Sequence, residues 1–211
     1  MRTLVLSEDS AHPAELTRDG LLGLADSRCE FDFIENPDGW SPKMMREYPF
    51  VIFSKANNTS ASDRNPWATE ETGLAFVDYV KQRKSILFLH SGTALYKDLP
   101  SFRNLMGGVF VGHPPQYPVT VEPSEGHIFT TGSTAFTLKD EHYQMEMNDP
   151  DVDLFLNTTS EHGIQPAGWT RTEDDGRVCV LTPGHNLEIW HHPSYQIVLR
   201  NCIHWCKAGK E

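Results

Sequence analysis

Short apolar segments alternate with longer amphipathic segments along the first part of the chain. Four of the short segments predict strands: TLVLSE (3–8), CEFDFIE (29–35), FVIFSK (50–55) and SILFLH (85–90). Two longer segments, 12–27 and 66–84, carry apolar residues near helical spacing, and the second opens with proline and acids and closes with bases. This alternation predicts an α/β fold in which right-handed crossovers join parallel strands and helices cover both faces of the sheet.

The rest of the chain predicts shorter strands and a terminal helix. The strands are expected at YPVTVE (117–122), HIFTTG (127–132), DEHYQME (140–146), VDLFLNT (152–158) and RVCVLTPG (177–184). Residues 193–210 begin with proline and place apolar side chains on one face, which is typical of a helix packed on a sheet. Because no repeat, low-complexity segment or linker divides the chain, residues 1–211 are predicted to form a single domain.

Composition and charge exclude several classes of partner. A hydrophobic fraction of 38% and a charged fraction of 22% are those of a globular protein. The net charge of −11 repels phosphate backbones and anionic lipid, so nucleic acid is not an expected partner. The sequence has neither an apolar stretch of membrane-spanning length nor a signal-peptide pattern, and we expect a cytoplasmic protein with no membrane partner. A homodimer is the base-rate expectation for its assembly.

The cysteines do not form a recognisable metal or redox motif. The chain has four of them, at Cys29, Cys179, Cys202 and Cys206. The last two are four residues apart in a helical pattern, which differs from the C-x-x-C spacing of zinc and redox sites. We therefore expect reduced, buried thiols.

Ligands of open α/β sheets bind beyond the carboxyl ends of the strands. In this sequence, those ends are at Ser7–Glu8, Ser54–Asn57, His90–Gly92 and Gly184–His185. The last of them lies in the stretch LTPGHNLEIWHHP (181–193), which contains three histidines. The sequence therefore predicts that a binding or active site is formed by these loops.

Four longer motifs occur in one order along the chain. They are ILFLHSGTALY (86–96), FRNLMGGVFVGHPP (102–115), FTLKDEHYQME (136–146) and the run from PAGWTRTEDDG to LRNCIHWC (166–206). Together they resemble the ThuA-like family, the trehalose-utilisation proteins. The resemblance implies a three-layer sandwich with a mostly parallel, flavodoxin-like sheet, a variant of the class I glutamine amidotransferase fold. It also implies a role in carbohydrate metabolism, associated with disaccharides and keto-sugars.

The turn after strand 85–90 argues against glutamine hydrolysis. In the amidotransferases a cysteine stands on this turn, whereas here the turn reads His90-Ser91-Gly92. Imidazole cannot replace a thiolate nucleophile, and we expect His90 to be a metal ligand or a general base instead. Ser91 could act as a nucleophile with His185 as its base, but the G-x-S-x-G elbow is absent.

Two further motifs supply candidate site residues. His113 lies between glycine and two prolines, on a rigid loop that the resemblance places over the site. On a strand, Glu141 and Tyr143 would share one face and His142 would face the other way. The resemblance, through the family pattern D-E-x-Y, implies that Glu141 and Tyr143 are the pair in the site, where a carboxylate beside a phenol can transfer protons or bind metal. The alternative is that Asp140 and Glu141 form a solvated charge pair.

His185 is the strongest single candidate, since it directly follows strand 177–184. Asn186 and Glu188 are expected to orient its ring or to contact sugar hydroxyls. Trp190 could stack on a sugar face or close a hydrophobic gap under the terminal helix. The adjacent pair 191–192 precedes a proline and is expected to cap that helix.

The set His90, His113, Glu141 and His185 fits both an acid/base site and a divalent metal site, with zinc or manganese as the ion. Sequence spacing does not choose between these two. The first hypothesis is an enzyme that acts on a keto-sugar or keto-glycoside by proton abstraction, leading to isomerisation, elimination or hydrolysis. In it, His185 or Glu141 is the base, and His90 and His113 are electrophilic groups or metal ligands. The alternative is a non-catalytic protein that binds a sugar or a partner, with tryptophans as stacking platforms: Trp40, Trp67, Trp169 and Trp190.

Overall fold

A computed structural model describes residues 2–24 and 30–208 of the chain. Its strands are β1 (Arg2–Leu6), β2 (Glu30–Ile34), β3 (Phe50–Phe53), β4 (Ser85–Leu89), β5 (Gly108–Gly112), β6 (Tyr117–Pro123), β7 (Phe136–Asp140), β8 (Gln144–Met147), β9 (Asp153–Ser160), β10 (Gly163–Glu173) and β11 (Gly176–Leu181). Its α-helices are α1 (Ala14–Leu22), α2 (Pro42–Met45), α3 (Glu70–Lys81), α4 (Pro100–Met106), α5 (Leu187–His191) and α6 (Pro193–Ala208). Short 3₁₀ helices occupy Pro37–Gly39 and His90–Thr93.

The central sheet is mixed, with the strand order β2-β1-β3-β4-β11-β10-β9-β6-β7. All neighbours from β2 to β11 pair in parallel, as predicted. From β11 to β7 all neighbours pair antiparallel, so the expectation of a mostly parallel sheet holds for only half of it. The reason is local: Ser160 pairs with Gly163 and Glu173 with Gly176, and connections this short can join only antiparallel strands.

Two of the predicted strands differ from the structure. The segment 127–132 forms turns, in which the hydroxyl of Thr130 donates to the carbonyl oxygens of Ser124 and His127. Residues 140–146 do not form one strand, because β7 ends at Asp140 and β8 begins at Gln144. The side chains of residues 141–143, between these two strands, therefore need not alternate between the two faces of a sheet.

Helices cover both faces of the sheet, as a three-layer sandwich requires. Alternate side chains of β4 enter different cores: Leu87 and Leu89 face the core under α1 and α6, whereas Ile86 and Phe88 face the core under α3 and α4. The predicted terminal helix is α6, and its buried face packs on the sheet. No helix within the described ranges is long and apolar enough to span a membrane.

The described cysteines fit the expectation of buried thiols. Cys179 on β11 and both Cys202 and Cys206 on α6 are buried thiols that form no disulfide among the described residues. Cys29, which is the first residue of the strand predicted from 29 to 35, lies outside the described residues. These thiols belong to the core beneath α6 and take no part in the site.

The turn after β4 is held against its neighbour strand. His90 has a φ of 42°, in the left-handed region that few residues other than glycine adopt. At Gly92, a Cβ atom would lie 2.0 Å from the carbonyl oxygen of Phe53, so only glycine allows this close approach. This strained, closely packed turn fixes the position of His90 at the carboxyl edge of the sheet.

Candidate functional site

Four side chains from separate loops converge at the carboxyl edge of the parallel strands. His12 lies between β1 and α1, His90 follows β4, Glu141 follows β7 and His185 follows β11. One ligand atom from each of these residues lies within 4.8 Å of the others. The prediction that sites occur at the carboxyl ends of strands therefore locates this cluster correctly.

Hydrogen bonds at the far side of two rings fix their orientation. His12 Nδ1 lies 2.8 Å from Asp9 Oδ1, and His90 Nδ1 lies 2.7 Å from the carbonyl oxygen of Thr182. A carbonyl oxygen and an ionised carboxylate only accept hydrogen bonds, so both Nδ1 atoms carry a proton. In the neutral rings, the two Nε2 atoms then present bare lone pairs to each other at 3.1 Å. Such a contact is repulsive unless a positive charge lies between the nitrogens.

The remaining donors complete a compact set around this point. His185 Nδ1 lies 3.0 Å from His12 Nε2 and 3.1 Å from Glu141 Oε1, and Glu141 Oε2 lies 3.5 Å from His90 Nε2. Ligands at about 2.0–2.1 Å from a tetrahedral ion are about 3.3 Å from one another. Three imidazole nitrogens and a carboxylate are therefore placed as the donors of a divalent transition-metal site would be.

Protonation within the cluster follows from burial and from these contacts. Burial alone would raise the pKa of Glu141, but the hydrogen bond with His185 and the proximity of His90 hold that pKa well below its usual range. The hydrogen bond to Glu141 raises the pKa of His185, whereas burial lowers the pKa of His90. Glu141 is thus an ionised, weakly basic carboxylate, and His90 is a neutral ring suited to bind a metal.

Two further predicted site residues, His113 and Tyr143, border the cluster. His113 Nε2 lies 3.4 Å from Glu141 Oε1, and its side chain is 33% exposed. Tyr143 is buried and stacks on His90, with ring centroids 4.2 Å apart. His113 therefore lies at the solvent side of the cluster, while Tyr143 supports the ring of His90 from behind. His142 is buried elsewhere, against Tyr117 and Ser160, as its opposite orientation predicted.

Asp140 holds the loop that carries His185. Its carboxylate is buried and accepts hydrogen bonds from the backbone N–H groups of Gly184 and His185, both at 2.9 Å. The alternative of a solvated charge pair at Asp140 and Glu141 is therefore wrong, because both carboxylates have specific partners inside the protein. Asp140 orients the backbone, and Glu141 faces the cluster.

Three other predicted site residues have different surroundings. The hydroxyl of Ser91 is buried and has no hydrogen-bond partner among the described residues, so it is not activated by His185. Asn186 donates to the side chain of Gln116 and to the carbonyl oxygen of Lys139, which joins the two loops around the cluster. Glu188 is exposed on α5 and contacts neither His185 nor the metal-ligand set. These residues do not form part of the cluster itself.

Trp190 fills a gap in the core, and its prediction as a sugar-binding residue is wrong. Its side chain is 1% exposed, packs on Gly20 and donates from Nε1 to the carbonyl oxygen of Gly184 at 2.7 Å. A buried ring cannot stack on a sugar. His192 accepts a hydrogen bond from the backbone of Ser194 in the first turn of α6, as the prediction of a helix cap requires.

The other tryptophans considered as stacking platforms pack against side chains of the protein itself. Trp169 is fully buried and donates from Nε1 to the carbonyl oxygen of Met106. Trp40 and Trp67 are half-buried: Trp40 stacks on Phe76 and contacts Trp67 edge-on, at the edge of the core under α3. The structure therefore gives no support to a binding surface made of tryptophan.

Replacement of Trp190 by phenylalanine should lower the free energy of unfolding by about 1–3 kcal/mol, because it leaves the buried carbonyl of Gly184 without its donor. Chemical denaturation followed by circular dichroism measures the change. A variant as stable as the wild type would show that water or another donor replaces the indole, and that this contact does not hold the His185 loop.

Two residues of this region were not predicted from the sequence, His12 and its partner Asp9. Both belong to the segment SEDSAH that follows β1, which is one of the strand ends that the sequence identifies. The signal was the position of His12 directly before Pro13, at the start of a helix and beyond a buried strand. That position is equivalent to the one that identified His185.

Comparison with solved structures shows the same fold elsewhere. A putative ThuA-like protein from Bacteroides uniformis superimposes with a TM-score of 0.76 at 21% identity, over 98% of this chain and 91% of the other. One from Parabacteroides merdae gives a TM-score of 0.75 at 15% identity, over 100% and 91%. A cytoplasmic protein from Salmonella typhimurium gives 0.67 at 11% identity, over 97% and 98%. At these identities the likeness concerns the fold alone.

Comparison of the sequence with curated proteins finds no match. Comparison with family models finds one that covers nearly the whole chain, the ThuA model, described as trehalose utilisation, over residues 3–206. This range includes all the loops that form the cluster and agrees with the resemblance noted in the sequence. The chain therefore belongs to the ThuA family, which is linked to trehalose utilisation.

Proposed function

We propose that this protein is a metal-dependent enzyme of carbohydrate metabolism that removes a proton next to the carbonyl group of a keto-sugar or keto-glycoside. The observation that carries the proposal is the convergence of three imidazole nitrogens and one carboxylate at the carboxyl edge of the sheet. The family's link to trehalose utilisation supports a carbohydrate substrate. Isomerisation, elimination and net hydrolysis of a keto-glycoside can all begin with this proton transfer.

The donors that would hold the ion are His12, His90, Glu141 and His185. A divalent cation such as zinc or manganese supplies Lewis-acid stabilisation of the negative charge that develops on a carbonyl oxygen. The protein contributes the geometry, since Nε2 of two rings is already free of its proton and aimed at the same point. Little rearrangement is needed for these donors to bind an ion.

His113 is the side chain best placed to move the substrate's proton. Its Nδ1 lies 2.8 Å from the carbonyl oxygen of Pro114 and donates to it, so Nε2 is free to accept a proton. It is also the most exposed member of the group, on the side from which a substrate can approach. Glu141 is less suited to this role, because its low pKa makes it a weak base.

The partner in this proposal is a small carbohydrate, and the compartment is the cytoplasm. The first is supported by the family, and the second by the Salmonella protein of the same fold that is described as cytoplasmic. A small substrate is consistent with the site's position, since His185 in the cluster and His113 at its border are the two rings of the site with appreciable solvent contact. The substrate would therefore bind against these two rings.

Proton exchange with solvent tests the proposed chemistry directly. Protein prepared without chelator, and holding one equivalent of metal by elemental analysis, is incubated in deuterated water with a panel of keto-glucosides and keto-disaccharides. NMR should show loss of the proton adjacent to the carbonyl, and chelation should abolish the exchange. The matched variant His113→Gln should keep the metal and lose about 10²–10⁴-fold in exchange rate, as removal of a general base does.

One result would overturn the proposal, and another would overturn the role that it gives to His113. If the metal-loaded protein binds sugars of the panel without exchange or product, it is a sugar-binding protein. If His113→Gln exchanges at the wild-type rate, the proton is moved by another group, and the role assigned to His113 is wrong.

A further inference from the structure

Asp9 is a buried carboxylate behind the cluster, and its contacts go beyond those of a loop-stabilising residue. Its side chain is completely buried and lies next to His12 but outside the set of ligand atoms. On the basis of the proposed metal centre, we propose that Asp9 is a positioning residue that fixes the proton of His12 on Nδ1 and thereby sets the affinity for the metal. It acts through His12 and does not touch the substrate.

The geometry of Asp9 leaves it no freedom to reorient. Oδ1 accepts hydrogen bonds from His12 Nδ1 at 2.8 Å and from the backbone N–H groups of Ala11 and His12, at 2.9 and 3.0 Å. Oδ2 accepts from the backbone N–H of Ala56 at 3.1 Å. A carboxylate anchored by the backbone on both oxygens presents a fixed acceptor to His12, so the imidazole is fixed in turn.

The charge of Asp9 is stabilised without any contribution from a metal. The carboxylate accepts four hydrogen bonds, three from backbone N–H groups and one from His12, and these favour its ionised form. The buried Lys55 donates from Nζ to the carbonyl oxygens of Glu8 and Thr59, which places a cation near the same loop. An ionised Asp9 therefore orients His12 before an ion binds.

His90 offers an internal comparison for this role. Its Nδ1 donates to a neutral acceptor, the carbonyl oxygen of Thr182, whereas His12 donates to a charged one. A carboxylate partner makes the opposite nitrogen a stronger electron donor than a carbonyl partner does. His12 is thus the ligand whose strength depends on a side chain that mutation can change.

The first test measures the tautomer of His12 in protein freed of metal. Imidazole ¹⁵N NMR, with His12 assigned by comparison with His12→Ala, should show the proton on Nδ1 in the wild type. Asp9→Ala removes the acceptor and should give a mixture of tautomers. Asp9→Asn keeps the shape, but its amide nitrogen must face a donor, either His12 Nδ1–H or Ala56 N–H. Asp9→Asn should therefore also weaken the preference of His12 for carrying its proton on Nδ1.

The second test titrates zinc and manganese into the same proteins by calorimetry. Both Asp9 variants should bind about 10–100-fold more weakly than the wild type, the range typical of partners behind a metal-binding histidine. Asp19→Asn is the matched control, because it removes one carboxylate from the exposed face of α1 and should leave affinity unchanged. Circular dichroism identifies any variant that fails to fold.

The two tests separate this inference from the metal proposal. If no protein binds zinc or manganese but Asp9 controls the tautomer, the metal centre is wrong and the orienting contact stands. If the wild type binds metal and both Asp9 variants retain its affinity and its tautomer, Asp9 only stabilises the loop and the inference is overturned.

Discussion

Replacing His12 with alanine should reduce affinity for a divalent transition metal by more than about 100-fold, beyond the effect of changing an outer partner. His12 Nε2 approaches both other ring nitrogens of the cluster, at 3.1 Å from His90 Nε2 and 3.0 Å from His185 Nδ1. Without it, two nitrogens and one carboxylate remain. Elemental analysis of protein purified without chelator, followed by calorimetric titration, measures the loss.

His204→Ala is the control for this experiment. His204 is exposed on α6, and its ring lies outside the metal-ligand set. That variant should retain one equivalent of metal. If His12→Ala also retains it, the ion is bound elsewhere, and the cluster at the sheet edge is a hydrogen-bonded histidine network only.

The layered fold could be predicted because its signals are local. Continuous apolar runs such as 50–53 and 85–89 become strands buried on both faces, and each supplies side chains to both cores. The direction of the later strands is also encoded locally, in the two-residue connections at 161–162 and 174–175. The expectation of a mostly parallel sheet came from the strand–helix alternation in the first part of the chain and from the family resemblance, and the alternation does not extend to the later strands.

The site was predicted in part for the same reason. His90 and His185 directly follow buried strands, so their place at the sheet edge is set by chain direction. Glu141 was identified through the family pattern and an assumed strand alternation, although the chain there has already left β7. Its position depends on a long-range contact, the hydrogen bonds that Asp140 accepts from the loop before His185. No spacing along the chain encodes that contact.

His12 and Trp190 show what sequence position alone does not determine. Both stand near strand ends, but the side chain of one faces the cluster and that of the other faces the core. The difference arises from partners far along the chain: His12 meets His185, and Trp190 meets Gly20. Assigning an aromatic or imidazole ring to a site therefore requires the packing as well as the loop.

The contact between Glu141 and His185 predicts a specific dependence of stability on pH in protein freed of metal. Hydrogen bonds hold the pKa of Glu141 below its ordinary value of 4.5, so its stabilising contribution is full above that pH and is lost as the pH falls. The same pair raises the pKa of His185 above 6.5, so its contribution is full below that pH and is lost as the pH rises through the raised value. The pair therefore stabilises the fold most between the two ordinary values.

Glu141→Gln should remove this contribution. The free energy of unfolding of the wild type minus that of the variant, measured by urea denaturation between pH 3 and pH 9, should have a maximum at about pH 4.5–6.5 and decline on both sides. Bound metal should reverse the pH dependence that His185 produces. An ion bound through His185 requires the deprotonated ring, so metal-loaded wild type should gain stability as the pH rises through the pKa of this histidine. In metal-free protein, a difference between wild type and variant that is constant with pH would show that Glu141 and His185 are not paired. In metal-loaded wild type, a stability that does not rise with pH would show that His185 is not a metal ligand.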